Sequence, residues 1–310
     1  MIKYGQAMWH QLGTDVTKEK TLAAVLKKAK IDWLARKYDI RFGGVAVGWE
    51  DYPGRYMLAR ADTHQAFNIV KKNYTLIQNH EAFSIFLPWV TSGQARFHAA
   101  GCYGNGNVWL MLELTDSPCL IAKDDAISKY VLITHSFDDK PLAVHIMPVR
   151  KQSQVVLHVG PSGMTMRHTA AWSKNENIFD LGIVQTLYSR LLYSFRAMAA
   201  TPMSHARATA FIHSVITDLD RTTGNASSSR IQNMRETACG QLDAAWNNTK
   251  GVKDTAWAAY NSIAEYVSWT QCCPKEDAQP WRRLPFAWFG IGARLRFEAL
   301  MSIQRVCETT

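Results

Sequence analysis

With 310 residues, 47% hydrophobic and 20% charged, the chain has the balance of a folded protein of one large domain or two intimate ones, and composition excludes a disordered polymer. Its formal net charge of +9 points to polyanionic partners, nucleic acid before membrane. The surplus is spread evenly: residues 1–150 carry 18 basic and 14 acidic side chains, residues 151–310 carry 17 and 12, so any basic patch must be assembled by folding.

The N-terminal segment Met1 to Thr14 is mixed and polar, without the apolar run of a signal peptide. A basic helix is expected over about Lys18 to Lys30, with Leu22, Ala23, Leu26 and Ala29 on one face. Gly43-Gly44 and Pro53-Gly54 punctuate the next stretch. Arg55 to Ala61 and Ala66 to Val70 read as a hairpin about the turn Asp62-Thr63-His64. Asn79 suits the cap of a helix running from about Glu81 to Val90. A second hairpin, Arg96 to Cys102 and Val108 to Leu114, turns on Gly104-Asn105-Gly106-Asn107. Tyr130 to His135, Leu142 to Val149 and Val155 to Val159 read as further strands. The pattern changes near residue 173, where Ser173 to Glu176 has capping-box spacing ahead of a long amphipathic helix, about Asn175 to Ala199, ended by Thr201-Pro202. More helices are expected over about Ala206 to Leu219, Ile231 to Asn247, Thr255 to Trp269 and Phe286 to Val306. Arg221 to Ser229, rich in Gly, Asn and Ser, has nothing to bury and reads as a mobile loop. The fold class is therefore α+β: an antiparallel sheet with a packed helix over residues 1–172, and a helical region over 173–310 packed on it.

Tests for chemistry come out empty. No GxxxxGK[ST] loop, GxSxG elbow or HExxH helix occurs. Gly101 to Gly106 is glycine-rich but opens a strand, so no helix N-terminus would meet a phosphate there. His135-Ser136-Phe137-Asp138-Asp139 holds triad-type residues too close in sequence to face one another. Asp124-Asp125 and Asp138-Asp139 are acidic loop pairs, not a ligand set. Cys102, Cys119, Cys239, Cys272, Cys273 and Cys307 form no CxxC pair and no zinc spacing, as expected of reduced thiols in the cytoplasm. No apolar run reaches the length of a membrane span. The expectation is a protein without catalytic residues, metal or cofactor.

What the chain does offer is basic and aromatic residues at predicted strand ends. Arg55, Arg60, Lys71, Lys72, Lys129, Arg150, Lys151 and Arg167 are candidates for gripping phosphates, with Tyr74 and Trp109 as aromatic candidates for stacking on unpaired bases.

Several segments, in order, carry a family resemblance. They are Trp9-His10-Gln11-Leu12-Gly13-Thr14, Gly54-Arg55-Tyr56, Arg60-Ala61-Asp62, Tyr74 to Phe83, Val108-Trp109-Leu110, Pro148-Val149-Arg150, Arg167-His168-Thr169, Thr255 to Asn261, and Phe289-Gly290. Together they resemble the phage/plasmid-like protein family, domain of unknown function 932, over nearly the whole chain. Two places depart from that pattern. Ser153, Gln154 and Val155 stand where the family commonly has a Cys-Asn-Asn-like triplet, and Asp254, read as a helix cap, stands where it often has Gly. The hairpin–helix–hairpin order is in turn similar to the core of single-strand annealing proteins. That likeness implies an ATP-independent, oligomeric protein that binds and anneals single-stranded DNA for a phage or plasmid, in the cytoplasm. The alternative is a protein-binding host-takeover or anti-defence factor, whose mark would be an exposed apolar patch.

Overall fold

Strand-forming alternation through residues 95–166 folds into an antiparallel sheet, as expected; the computed structural model describes residues 9, 12–138, 140–169, 179–223, 228–248, 253–271 and 283–308. The strands are β1 (Thr14–Asp15), β2 (Ala35–Gly44), β3 (Gly48–Arg60), β4 (Ala66–Lys71), β5 (Ala95–Tyr103), β6 (Asn107–Leu114), β7 (Cys119–Ala122), β8 (Asp125–Ser136), β9 (Leu142–Arg150), β10 (Val155–Val156) and β11 (Gly160–Met166). The eight-stranded sheet runs β1-β5-β6-β8-β9-β10, with β11 also on β9 and β7 on β8; β2-β3-β4 form a separate three-stranded sheet. The helices are α1 (Leu22–Lys28), α2 (Asn79–Ser84), α3 (Leu87–Thr91), α4 (Leu181–Ala200), α5 (His205–Thr223), α6 (Ser228–Asn248), α7 (Ala256–Glu265), α8 (Arg283–Phe289) and α9 (Ile291–Glu308), with a π-helical turn over Tyr266–Gln271 after α7.

The central strands β6 and β8 are buried on both faces, because helices cover each side of the large sheet. On one face Trp109 meets Trp288 of α8 edge-on at 5.2 Å, and His145 packs on Phe289. On the other His135 packs on Phe83 of α2. Trp109 has no room to move: a Cβ on Gly13 would stand 2.4 Å from its ring, so only glycine fits there. The helical half is also tied to strand backbones by hydrogen bonds. The Tyr188 hydroxyl donates to the carbonyl of Tyr130 and accepts from the Met147 amide, and the Tyr260 hydroxyl donates to the Leu157 carbonyl at 2.7 Å. The fully buried Arg296 donates to the carbonyls of Val156 and Ala287.

The structure departs from the sequence reading at several ends. The α2 helix starts at Asn79 itself, whose side-chain amide is spent on the Ile31 carbonyl, while Glu81 accepts from the Gln78 amide. The expected helix over 81–90 is broken into α2 and α3, with Pro88 in the first turn of α3. Strand β3 spans Pro53-Gly54, but its pairing with β2 is interrupted there: Asp39 faces Tyr56 and Arg41 faces Asp51, so residues 52–55 form a bulge in which Gly54 takes φ +74°. The long helix α4 begins at Leu181 on an Asp180 cap, and Ser173 to Glu176 lies outside the described residues. Of the loop expected over 221–229, residues 221–223 end α5 and 228–229 start α6, while 224–227 lie outside the described residues. Asp254 is not the cap of α7; Thr255 is, through its hydroxyl, and Asp254 sits at φ +60°, a conformation that glycine adopts without strain.

Two buried histidines, His135 and His158, and the half-buried His145 add a pH dependence. Burial lowers the pKa of His135 to about 3, with the charge of His168 adding to the effect. Burial likewise lowers His145 and His158 to about 4, Arg296 contributing at His158. The unfolded chain therefore takes up protons below the ordinary imidazole value of 6.5 while the folded one does not, and stability falls as pH drops from 6.5 towards 4. Each histidine contributes about 1.4 kcal/mol per pH unit in that window. The urea midpoint should drop between pH 7 and 5, and less so in His135→Gln, which keeps a donor for the Ile77 carbonyl but cannot titrate. A wild-type midpoint unchanged over that range contradicts the neutral core histidines.

Candidate functional site

A half-open cleft of ≈ 390 Å³ lies between the β3–β4 ladder, the segment after β4 and the residues after β11; Arg55, Lys71, Asn73, Tyr74, His168 and Thr169 line it. Arg55 and Lys71 are direct cross-strand partners, so both side chains project from the same face. Like charges directly opposite destabilise a strand pair, and neither cation has an ion-pair partner among the described residues. An anion placed between them would remove the repulsion.

The wall behind these cations is a column of rings. Tyr74 stacks on His168 at 5.2 Å with its hydroxyl 2.8 Å from Nδ1, and His168 stacks on His135 at 5.0 Å and 8°. His135 closes the column against the core, its Nε2–H donating to the Ile77 carbonyl at 3.2 Å. Lys37 holds the segment that carries Tyr74. Its Nζ donates to the Tyr74 carbonyl at 2.6 Å and the Lys72 carbonyl at 3.3 Å, and lies 5.8 Å over the Tyr74 ring. The Thr75 amide in turn donates to the His168 carbonyl at 3.3 Å. Tyr74 is thus a fixed wall whose π surface is taken by His168 and Lys37, rather than a free platform for a base.

The remaining candidates divide sharply. Lys72 and Arg167 are exposed and adjoin cleft residues in sequence. Arg60 grips Asp62 through two hydrogen bonds and covers Trp33 at 5.0 Å. Trp109 is buried core. Lys129 is only 5% exposed and ion-paired to Asp116. Arg150 is 6% exposed, its guanidinium forked onto Asp125 at 2.9 Å and reaching Glu265 of α7 at 3.4 Å. Register also separates them. The end of β11 that precedes His168 pairs with Leu142, at the start of β9, whereas Arg150 and Lys151 stand at its other end, about 27 Å along the strand. One continuous basic surface through all eight cations is therefore not what the chain builds; a compact cleft holding Arg55 and Lys71 is.

Sequence reasoning missed Lys37, Asn73, His135, His168 and Thr169 as parts of the site. Asn73, His168 and Thr169 adjoin named candidates, but Lys37 lies beside Arg36 in an unrecognised strand and carries no local signal of its own. A second cleft, lined by Trp89, Phe179 and Leu181 among others, has no cation in its lining, so the basic cleft is the better site. Among the described residues no group of His, Cys, Asp and Glu is arranged to hold a metal, and no helix is long and apolar enough to cross a membrane.

Comparison with known proteins adds one finding. The model of a family described as Domain of unknown function (DUF932) matches residues 66–284, which takes in the cleft's β4 side, both histidines and α7. No curated protein and no solved structure matches the chain.

The buried cluster separates a structural role for Arg150 from a ligand role. The Trp257 indole N–H also donates to Asp125 at 2.8 Å, and burial raises the Glu265 pKa against the opposing pull of Arg150. Arg150→Ala leaves two acids in the interior and should cost about 3–5 kcal/mol. For a chain of this size that lowers Tm by on the order of 10 °C. Calorimetry showing an unchanged Tm for Arg150→Ala would mean that the residue is not the buried anchor described above.

Proposed function

We propose a function for this chain, which belongs to the family described as Domain of unknown function (DUF932), from its cleft: it binds single-stranded DNA by the phosphate backbone. The observation that supports this reading is the Arg55–Lys71 pair, two like charges set opposite one another on a cleft lip without a carboxylate among the described residues. Phosphate oxygens satisfy such a pair, and Asn73 and Thr169 add neutral donors of the kind that position a backbone. Lys72 and Arg167 extend the positive potential beside the cleft. Because the Tyr74 ring is already stacked within the protein, bases are left outside and sequence preference is expected to be weak. Bases left free are what pairing with a complementary strand requires. The finer part of the proposal is therefore ATP-independent annealing in the cytoplasm on behalf of a phage or plasmid. A protein partner is the second reading, favoured by an apolar hairpin tip taken up below.

Fluorescence anisotropy with labelled single strands across salt concentrations tests the proposal. Each phosphate contact contributes roughly 0.7 to the slope of log affinity against log salt. Arg55→Gln with Lys71→Gln should weaken binding to all sequences alike and flatten that slope by about 1.4, with Tm unchanged. The same loss of charge at Lys20 and Lys27, which do not line the cleft, is the control. Wild-type protein without salt-dependent binding, or a double variant that binds like wild type, overturns the reading.

A further inference from the structure

Strands β2 and β3 continue beyond the three-stranded sheet as an arm. Strand β4 pairs β3 only from Arg55 to Ala59, so from Arg41 to Gly54 the hairpin has two strands alone. A two-stranded ribbon is marginally stable in water unless something covers it. Its tip carries apolar side chains on both faces and at the turn. Phe42 and Tyr52 share one face, meeting edge-on at 5.9 Å; Trp49 stands on the other; and Val45 and Val47 cap the turn. Val45 is 103% exposed, Val47 80% and Trp49 60%, so no described part of the chain covers them. Apolar side chains on both faces and at the end make a plug to be surrounded, not a flat patch to be covered on one side.

Charge indicates what surrounds it. Residues 42–54 contain Glu50 and Asp51 and not a single Lys or Arg, whereas the rest of the chain holds all 35 Lys and Arg against the other 24 acids. Asp51 is paired to Arg41 at 2.8 Å, which leaves Glu50 as the tip's free charge. A polyanion is repelled by such a tip; a basic protein surface attracts it, and a second copy of this chain is such a surface. We propose that the arm tip of one copy docks on a second copy. Tip and receptor are different surfaces, so the contact is head-to-tail and propagates into a ring or filament. The inference stands apart from the reading of the cleft, and its test uses protein freed of nucleic acid.

Sedimentation velocity of the full chain should give a concentration-dependent species of at least twice the monomer mass of 35.0 kDa. Val45→Ser, Val47→Ser and Trp49→Ser combined should return it to 35.0 kDa with Tm unchanged, since these side chains are exposed in the single copy. Glu50→Lys, which keeps the apolar tip, should weaken association at least tenfold. A photo-crosslinking residue at Val47 should yield a covalent dimer of the chain. A wild type that stays monomeric overturns the proposal. So does assembly that survives the triple change, or assembly that appears only when nucleic acid is added.

Discussion

The buried fork between Arg150 and Asp125 is the interaction on which the rest of the architecture depends. It joins the last residue of β9 to the first of β8, and Glu265 and Trp257 bring α7 to the same point. Charges taken out of water are stable only when fully paired, so the geometry of four side chains on three elements is fixed together. Two further tethers, from Tyr188 and Tyr260, hold the helices to strand backbones on the same terms: a buried polar group must find its partner. These contacts fix the helices against the sheet at the β8–β9 end and at its middle.

The same strands position the opposite end. At the start of β9 and the end of β8 the same sheet supports His135, on which His168 and then Tyr74 are stacked. The column reaches from the core to the cleft through ring-on-ring contacts, and Lys37 lies over its outer ring. The small sheet then presents Arg55 and Lys71 over the wall so formed. One end of the molecule spends its arginine on stability, and the other keeps two cations unpaired among the described residues.

Much of the fold was legible because period-two patterning and turn chemistry are local. The hairpin about Gly104 to Asn107, the strands through 130–135 and 142–149, and the change to helices are examples. The arm was not legible, since Gly43, Gly44 and Gly54 read as ends of structure, although pairing continues to Gly44 and Gly54 lies in a bulge beyond which it resumes. The segment Tyr74 to Phe83 was recognised as distinctive without its reason being visible. Gln78 pairs through its side chain with the backbone of Ala35, Asn79 reaches Ile31, and the Ile77 carbonyl holds His135; each contact joins residues more than 40 positions apart. For the site, residue type failed as a guide. Arginine and lysine are suited to phosphate but equally to buried ion pairs, and only register and burial separate Arg55 and Lys71 from Arg150 and Lys129. Tyr74 lines the cleft, but its stacking partner is an imidazole of the protein.

Hydrogen exchange in the presence and absence of a single-stranded oligonucleotide tests the central claim most directly, because it locates the ligand without altering the chain. The expected result is protection confined to the backbone around Arg55, from Lys71 to Thr75, and from Arg167 to Thr169, with the turn after Arg150 unchanged. Protection centred on Lys151 and Gln152, or none at the cleft while the oligonucleotide is bound, would contradict the account.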